Sequence, residues 1–164
     1  MNRVDLAFAN LNHANLQRTT LLLALLTGAM LRDANLVDAD LSNARLDMAD
    51  LRGTNLTGAV MRSTDLRYAD LRDTILVKAD LRAAQLGWAR LDRADLRNAL
   101  MADAQMEGAV LRRADLRGAD LRKANLRQAD LRLADLTGAN LAGADLMGTL
   151  LPHDFIPDPA VIFP

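Results

Sequence analysis

From Leu6 to Leu151 every fifth residue is Leu or Met, thirty positions in unbroken register: 27 Leu, and Met at 61, 101 and 106. Two residues before each stands a small side chain: Ala in 24 cases, Thr at 19, 54, 64, 74 and 149, and Val4 at the first. Between them, Asp or Asn occurs in 18 of the thirty units. The unit reads A-(D/N)-L-x-x, as in Ala69-Asp70-Leu71-Arg72-Asp73. On an α-helix, five residues at about 100° each step successive Leu by roughly 140°, so they spiral around the helix. In a flat strand the side-chain period is two, and an odd spacing throws alternate Leu onto opposite faces. A backbone that bends once per unit keeps every Leu, and the small residue two before it, on one side. Such a chain winds into a coil, and stacked coils pair their backbones at about 4.8 Å. The pattern predicts an all-β solenoid over residues 4–151, followed by a tail, 152–164.

The remaining positions agree. Eight of the nine Gly fall two residues after the central Leu, where a turn needs φ > 0. All four Pro, at 152, 157, 159 and 164, come after the array, which suits a backbone whose every amide is needed for pairing. Asp and Asn before the Leu are turn-bonding side chains.

Composition narrows the chemistry. Hydrophobic residues make up 51% of the 164 but aromatics only 3%, so Leu and Ala fill the core. Twenty basic against 21 acidic residues, a net charge of −1, argue against direct nucleic-acid binding through a basic surface. With no Cys there is neither a disulfide nor a thiolate nucleophile. The two His, His13 and His153, stand 140 residues apart, the Ser are only Ser42 and Ser63, and no Gly-rich phosphate loop occurs. No catalytic, metal or cofactor site is expected.

Tandem A-(D/N)-L-x-x units resemble the pentapeptide-repeat proteins, over about nine-tenths of the chain. The resemblance implies a right-handed quadrilateral β-helix with four units per coil, about seven and a half coils and a rod roughly 36 Å long. The central residues, for example Leu6, Leu26, Leu46, Leu66, Leu86, Met106, Leu126 and Leu146, would form the repeat core. It also implies a non-enzymatic scaffold or protein-interaction module, expected in the cytoplasm. The alternative is a DNA-mimicking gyrase or topoisomerase inhibitor or protection protein, since some family members act on gyrase as acidic rods. Those members tend to carry Phe at central positions and a helical C-terminal module. Here no central residue is Phe, the net charge is near zero, and three Pro follow position 152 within the tail.

With twenty residues per coil, outward residues stack in columns. One reads Phe8, Gly28, Met48, Tyr68, Trp88, Gly108, Gln128 and holds three of the five aromatics, so Phe8, Met48, Tyr68 and Trp88 are the candidate interaction surface. A second reads Asn12, Arg32, Arg52, Arg72, Asp92, Arg112, Arg132, and flanking Asp makes it a mixed-charge ladder or a weak anion site. The apolar run 19–31 is too short to span a bilayer as a helix and holds the repeat register, so it is read as folded structure. Leu22, Leu23 and Leu25 would then point outward near the N-terminal end. In the tail, Phe155, Ile156, Ile162 and Phe163 are apolar enough to cap the open end or to dock on another chain. The expected partners are a protein or a second copy, with no membrane.

Overall fold

The structure, a computed structural model, describes residues 4–156. Its ladder is built from single-residue parallel bridges between positions twenty apart: Asp5 pairs with Leu25, Asn10 with Met30, Asn15 with Asn35 and Thr20 with Asp40. The same step recurs to Asp130 and Leu150. One coil thus spends four units, and the chain is a β-helix with four flat sides. Face 1 carries central residues 6, 26, 46 and so on; face 2 carries 11, 31, 51; face 3 carries 16, 36, 56; face 4 carries 21, 41, 61.

The five-residue repeat is explained by where its amides go. In the first unit the Leu6 and Phe8 N–H groups donate to the Leu25 and Thr27 carbonyls of the next coil, at 2.8 and 3.0 Å. One coil on, the Leu25 N–H donates back to the Val4 carbonyl at 2.9 Å, and the Ala9 N–H closes the turn onto the Leu6 carbonyl at 3.0 Å. The amide just after the central Leu is the one left over. Asp or Asn just before that Leu accepts it, and does so in all 18 units that carry one. A buried or half-buried amide without a partner is costly, which accounts for the prevalence of Asp and Asn at that place.

The corner residue, two after the central Leu, is left-handed in every unit from Phe8 to Gly148. Eight of these are Gly and 21 are not, with φ between 52° and 71° throughout. This is the third position of a type II turn, which needs φ > 0. The Gly positions legible in the sequence are therefore a minority of the corners, and the ladder holds Tyr68, Trp88 and Leu133 in the same conformation.

Inside, the central residues from Leu26 to Leu131 have no solvent exposure, and the small residues beside them are equally buried. The Thr that replace Ala bring their own acceptors: buried Thr54 and Thr64 donate to the Leu31 and Leu41 carbonyls at 2.7 and 2.9 Å. The ends differ. At the N-terminal end Leu6, Leu11 and Leu16 are half-buried; at the other, Leu141 and Leu146 stay buried while Leu136 and Leu151 are half-buried. Pro152 is buried and Phe155 packs on the core there, its N–H turned onto the Pro152 carbonyl at 3.2 Å. Ile156 is 89% exposed. Ile162 and Phe163 lie outside the described residues.

Candidate interaction surfaces

The corner conformation sets the direction of the outer side chains. A left-handed residue two after the Leu leans along the rod axis and lies over its equivalent one coil on. Where that equivalent is Gly, the space is occupied. A Cβ built on Gly28 would fall 2.6 Å from a carbon of the Phe8 ring, and one built on Gly108 would fall 2.6 Å from the Trp88 ring. The face 1 column is therefore continuous: the Phe8 ring covers Gly28, Met48, Tyr68 and Trp88 follow in consecutive coils, and the Trp88 ring covers Gly108. Exposures are 74% for Phe8, 63% for Met48, 62% for Tyr68 and 52% for Trp88. All four predicted residues thus share one corner of the rod.

Much of the remaining surface is charged and paired. In Asp-Leu-Arg units, the Asp accepts both the amide and the guanidinium of the Arg two residues on, at 50–52, 65–67, 70–72, 80–82, 95–97, 115–117, 120–122 and 130–132. Arg from the preceding coil adds a second bond, as Arg62 does to Asp80 and Arg112 to Asp130. The Arg82 guanidinium, helped by Arg62 and opposed by burial, holds the Asp80 carboxyl at about 2. Arg132 and Arg112 hold Asp130 well below the usual carboxylate range. The D-L-R spacing was present in the sequence and signals these pairs, because residues two apart flank the same Leu on the outside of the coil.

The face 2 column of Arg is accordingly bound into ladders. Arg32, Asp50, Arg52, Asp70 and Arg72 alternate along it. Toward the C-terminal end a groove is lined by Arg93, Arg112, Arg132, Leu133, Leu151 and His153, but Arg93 is tied to Asp73, and Arg112 and Arg132 share Asp130. His13 lies 3.8 Å from Asp33, at the opposite end from His153. Among the described residues no group of three or more His, Cys, Asp or Glu could hold a metal ion, and no helix is long and apolar enough to cross a membrane.

Near the N-terminal end Leu22 and Leu23 are exposed, whereas Leu25, a bridge residue, is half-buried. At the other end Phe155 lies against the core rather than free, and Ile156 projects.

A family profile described as pentapeptide repeats matches in eight copies, in segments 9–47, 23–58, 44–82, 79–118, 89–128 and 114–151. Among solved structures, HetL from Nostoc sp. strain PCC 7120, a pentapeptide repeat protein involved in heterocyst differentiation regulation, is 33% identical over 96% of this chain and 82% of its own, with a TM-score of 0.32. Rfr23 from Cyanothece 51142 is 27% identical over 87% of each chain, with a TM-score of 0.34. QnrB1, a plasmid-mediated fluoroquinolone resistance protein, is 24% identical over 88% of this chain and 78% of its own, with a TM-score of 0.41. No curated protein matches significantly.

Proposed function

Because the chain belongs to the pentapeptide-repeat family, we propose that it acts without catalysis, as a rigid rod whose face 1 column binds a protein partner in the cytoplasm. In this reading the rod is right-handed, with about seven and a half four-sided coils from Val4 to Leu151. The observation that carries it is the run Met48, Tyr68, Trp88 in consecutive coils, an exposed apolar strip on a surface otherwise rich in Arg–Asp pairs. Large amphipathic aromatics on a rigid backbone lose little conformational freedom on binding and supply much of the energy of an interface. The absence of catalysis is supported by carboxylates such as Asp80 and Asp130, which are committed to turn amides and guanidiniums. At Asp80 and Asp130 the paired guanidiniums lower the carboxyl pKa, which keeps these two groups charged and poor at moving protons near neutral pH.

This reading is preferred to DNA mimicry of the kind that targets gyrase, which needs an uninterrupted acidic face. On face 3, Asp95, Arg97, Asp115, Arg117 and Asp135 alternate in sign along the rod. Affinity capture from native lysate, with wild type beside Tyr68→Ala/Trp88→Ala, tests the proposal. It expects at least one species held by the wild type and lost by the variant; identical captured sets overturn it.

A further inference from the structure

Eight of the nine Gly stand at left-handed corners; Gly87 is the ninth and does not. It follows the central Leu86 on the flat part of face 1, where the neighbouring coils carry Asp47, Arg67, Glu107 and Arg127. Neither backbone nor packing asks for Gly there. Its φ is not positive, and a Cβ would meet only the Glu107 carbonyl at 3.8 Å and the Arg67 Cγ at 3.9 Å, ordinary contacts. The missing side chain opens a notch in face 1, with the Gly87 backbone as floor and Arg67 and Glu107 on either side. Trp88 is the next residue, and its ring lies across Gly108, the residue after Glu107. The notch therefore opens beside an exposed indole, one coil, about 4.8 Å, from Tyr68.

The charges around this notch are sorted by sign. Each Arg of face 1 is held by a carboxylate: Arg45 lies 3.5 Å from Asp47, Arg67 lies 2.7 Å from Asp65, and Arg127 lies 3.0 Å from Asp145. Across the corner on face 2, Arg72 and Arg90 stand 2.6 and 3.8 Å from Asp70 and Asp92. Glu107, the only Glu of the chain, is exposed, and its carboxylate has neither a hydrogen bond nor an ion pair among the described residues. The geometry points to a Lys or Arg side chain of the bound protein as the occupant, its charged head over the Trp88 ring beside Glu107 and its methylene stem in the Gly87 notch. This inference rests on the reading of the face 1 column as the partner site, and it names what that site selects. An aromatic face attracts a cation within about 6 Å of the ring centroid, Trp most strongly, and an unpaired carboxylate beside the ring adds to the attraction. Long cationic side chains lay their stems along apolar surface while the head stays paired or solvated. An acidic partner finds no unpaired cation on face 1 and meets Glu107 with like charge.

The fluorescence of Trp88, the only indole of the full chain, tests the inference with blocked tripeptides, Ac-Gly-X-Gly-NH2, in which X is Lys, Arg, norleucine or Glu. The Lys and Arg peptides are expected to change the emission saturably at about millimolar concentration, and more weakly as salt rises. Norleucine, a comparable stem without the charge, and Glu are expected to bind about fivefold or more weakly. Glu107→Gln alters one exposed side chain, so the melting curve is expected to stay while the Lys peptide weakens about threefold to fivefold. Gly87→Leu fills the notch and is expected to weaken the Lys and Arg peptides by a similar factor, so the result does not hang on one variant. No response to the Lys and Arg peptides, a norleucine or Glu peptide bound as well as Lys, or a Lys response unchanged in both variants overturns the inference. A captured partner lost by Tyr68→Ala/Trp88→Ala but held undiminished by Glu107→Gln also overturns it, and leaves the column as the site. Identical captured sets for wild type and Tyr68→Ala/Trp88→Ala remove the column reading itself, and the inference with it.

Discussion

The ring of Trp88 lies across Gly108, one coil further along the rod. A Cβ on Gly108 would sit 2.6 Å from the ring, and Gly108 itself has φ +66°. Two separate requirements for Gly therefore coincide at one residue, and they can be separated. At Gly138, with φ +70°, a Cβ would meet only the Gly118 nitrogen at 3.9 Å, an ordinary contact. Gly138→Ala is expected to cost about 1 kcal/mol, the left-handed penalty alone. Gly108→Ala is expected to cost more, with the excess removed when Trp88→Ala is added; a double-mutant cycle by chemical denaturation measures the coupling.

The reverse substitution tests the strain at the non-Gly corners. Ala83 sits at φ 56°, and Ala83→Gly relieves roughly 1–2 kcal/mol of left-handed strain against about 0.5–1 kcal/mol of added unfolded-chain freedom. A net gain of about 0.5 kcal/mol is expected. Next to it, Ala84 has no exposure and fills the interior, so Ala84→Gly is expected to cost about 1 kcal/mol. Denaturation midpoints moving in opposite directions for neighbouring Ala→Gly changes would verify the corner geometry.

These corners mark the limit of what the sequence could tell. The period of five, read from thirty Leu and Met positions, yielded the solenoid, its interior and the column that brings Phe8, Met48, Tyr68 and Trp88 together. Gly28 and Gly108 identified the corner, yet nothing in Arg93 or Leu133 announces φ > 0, because the ladder above and below imposes it. The Asp of each D-L-R unit could be read as a turn former, and its spacing to the Arg marks the pair, but the bonds from Arg one coil away, as Arg62 makes to Asp80, emerge only from the stacking. Leu11 and Leu71 occupy the same place in the unit, and only stacking makes one half-buried and the other sealed.

That difference in burial has a measurable size. Leu76 and Leu16 are both central residues of face 3, the first without exposure and the second half-buried in the end coil. Leu76→Ala is expected to cost about 3 kcal/mol and Leu16→Ala about 1 kcal/mol. Equal losses in urea unfolding would contradict this difference in burial.

Acid should weaken the rod through its paired carboxylates. Asp80 is nearly buried and its pKa is lowered from 3.8 to about 2, chiefly by Arg82. A depressed folded-state pKa contributes stability above the unfolded value and loses it as pH falls toward the folded one. The window here runs from about pH 4 down to about pH 2, and the contribution is on the order of 1–2 kcal/mol. Asp80→Asn is expected to lower the melting temperature at pH 7 and to flatten the fall in stability across that window; a pH series of thermal melts of both proteins checks it.

Trp88 is the only tryptophan, so it reports on the proposed partner surface without interference from elsewhere in the chain. The protein carrying 5-fluorotryptophan gives one fluorine resonance, and titrating the species recovered by affinity capture would read its surroundings directly. A saturable shift and broadening of that resonance, absent when the same species is added to the Tyr68→Ala variant, is the predicted result. A partner that binds while the Trp88 resonance stays unmoved would contradict the claim that the face 1 column is where this rod is recognised.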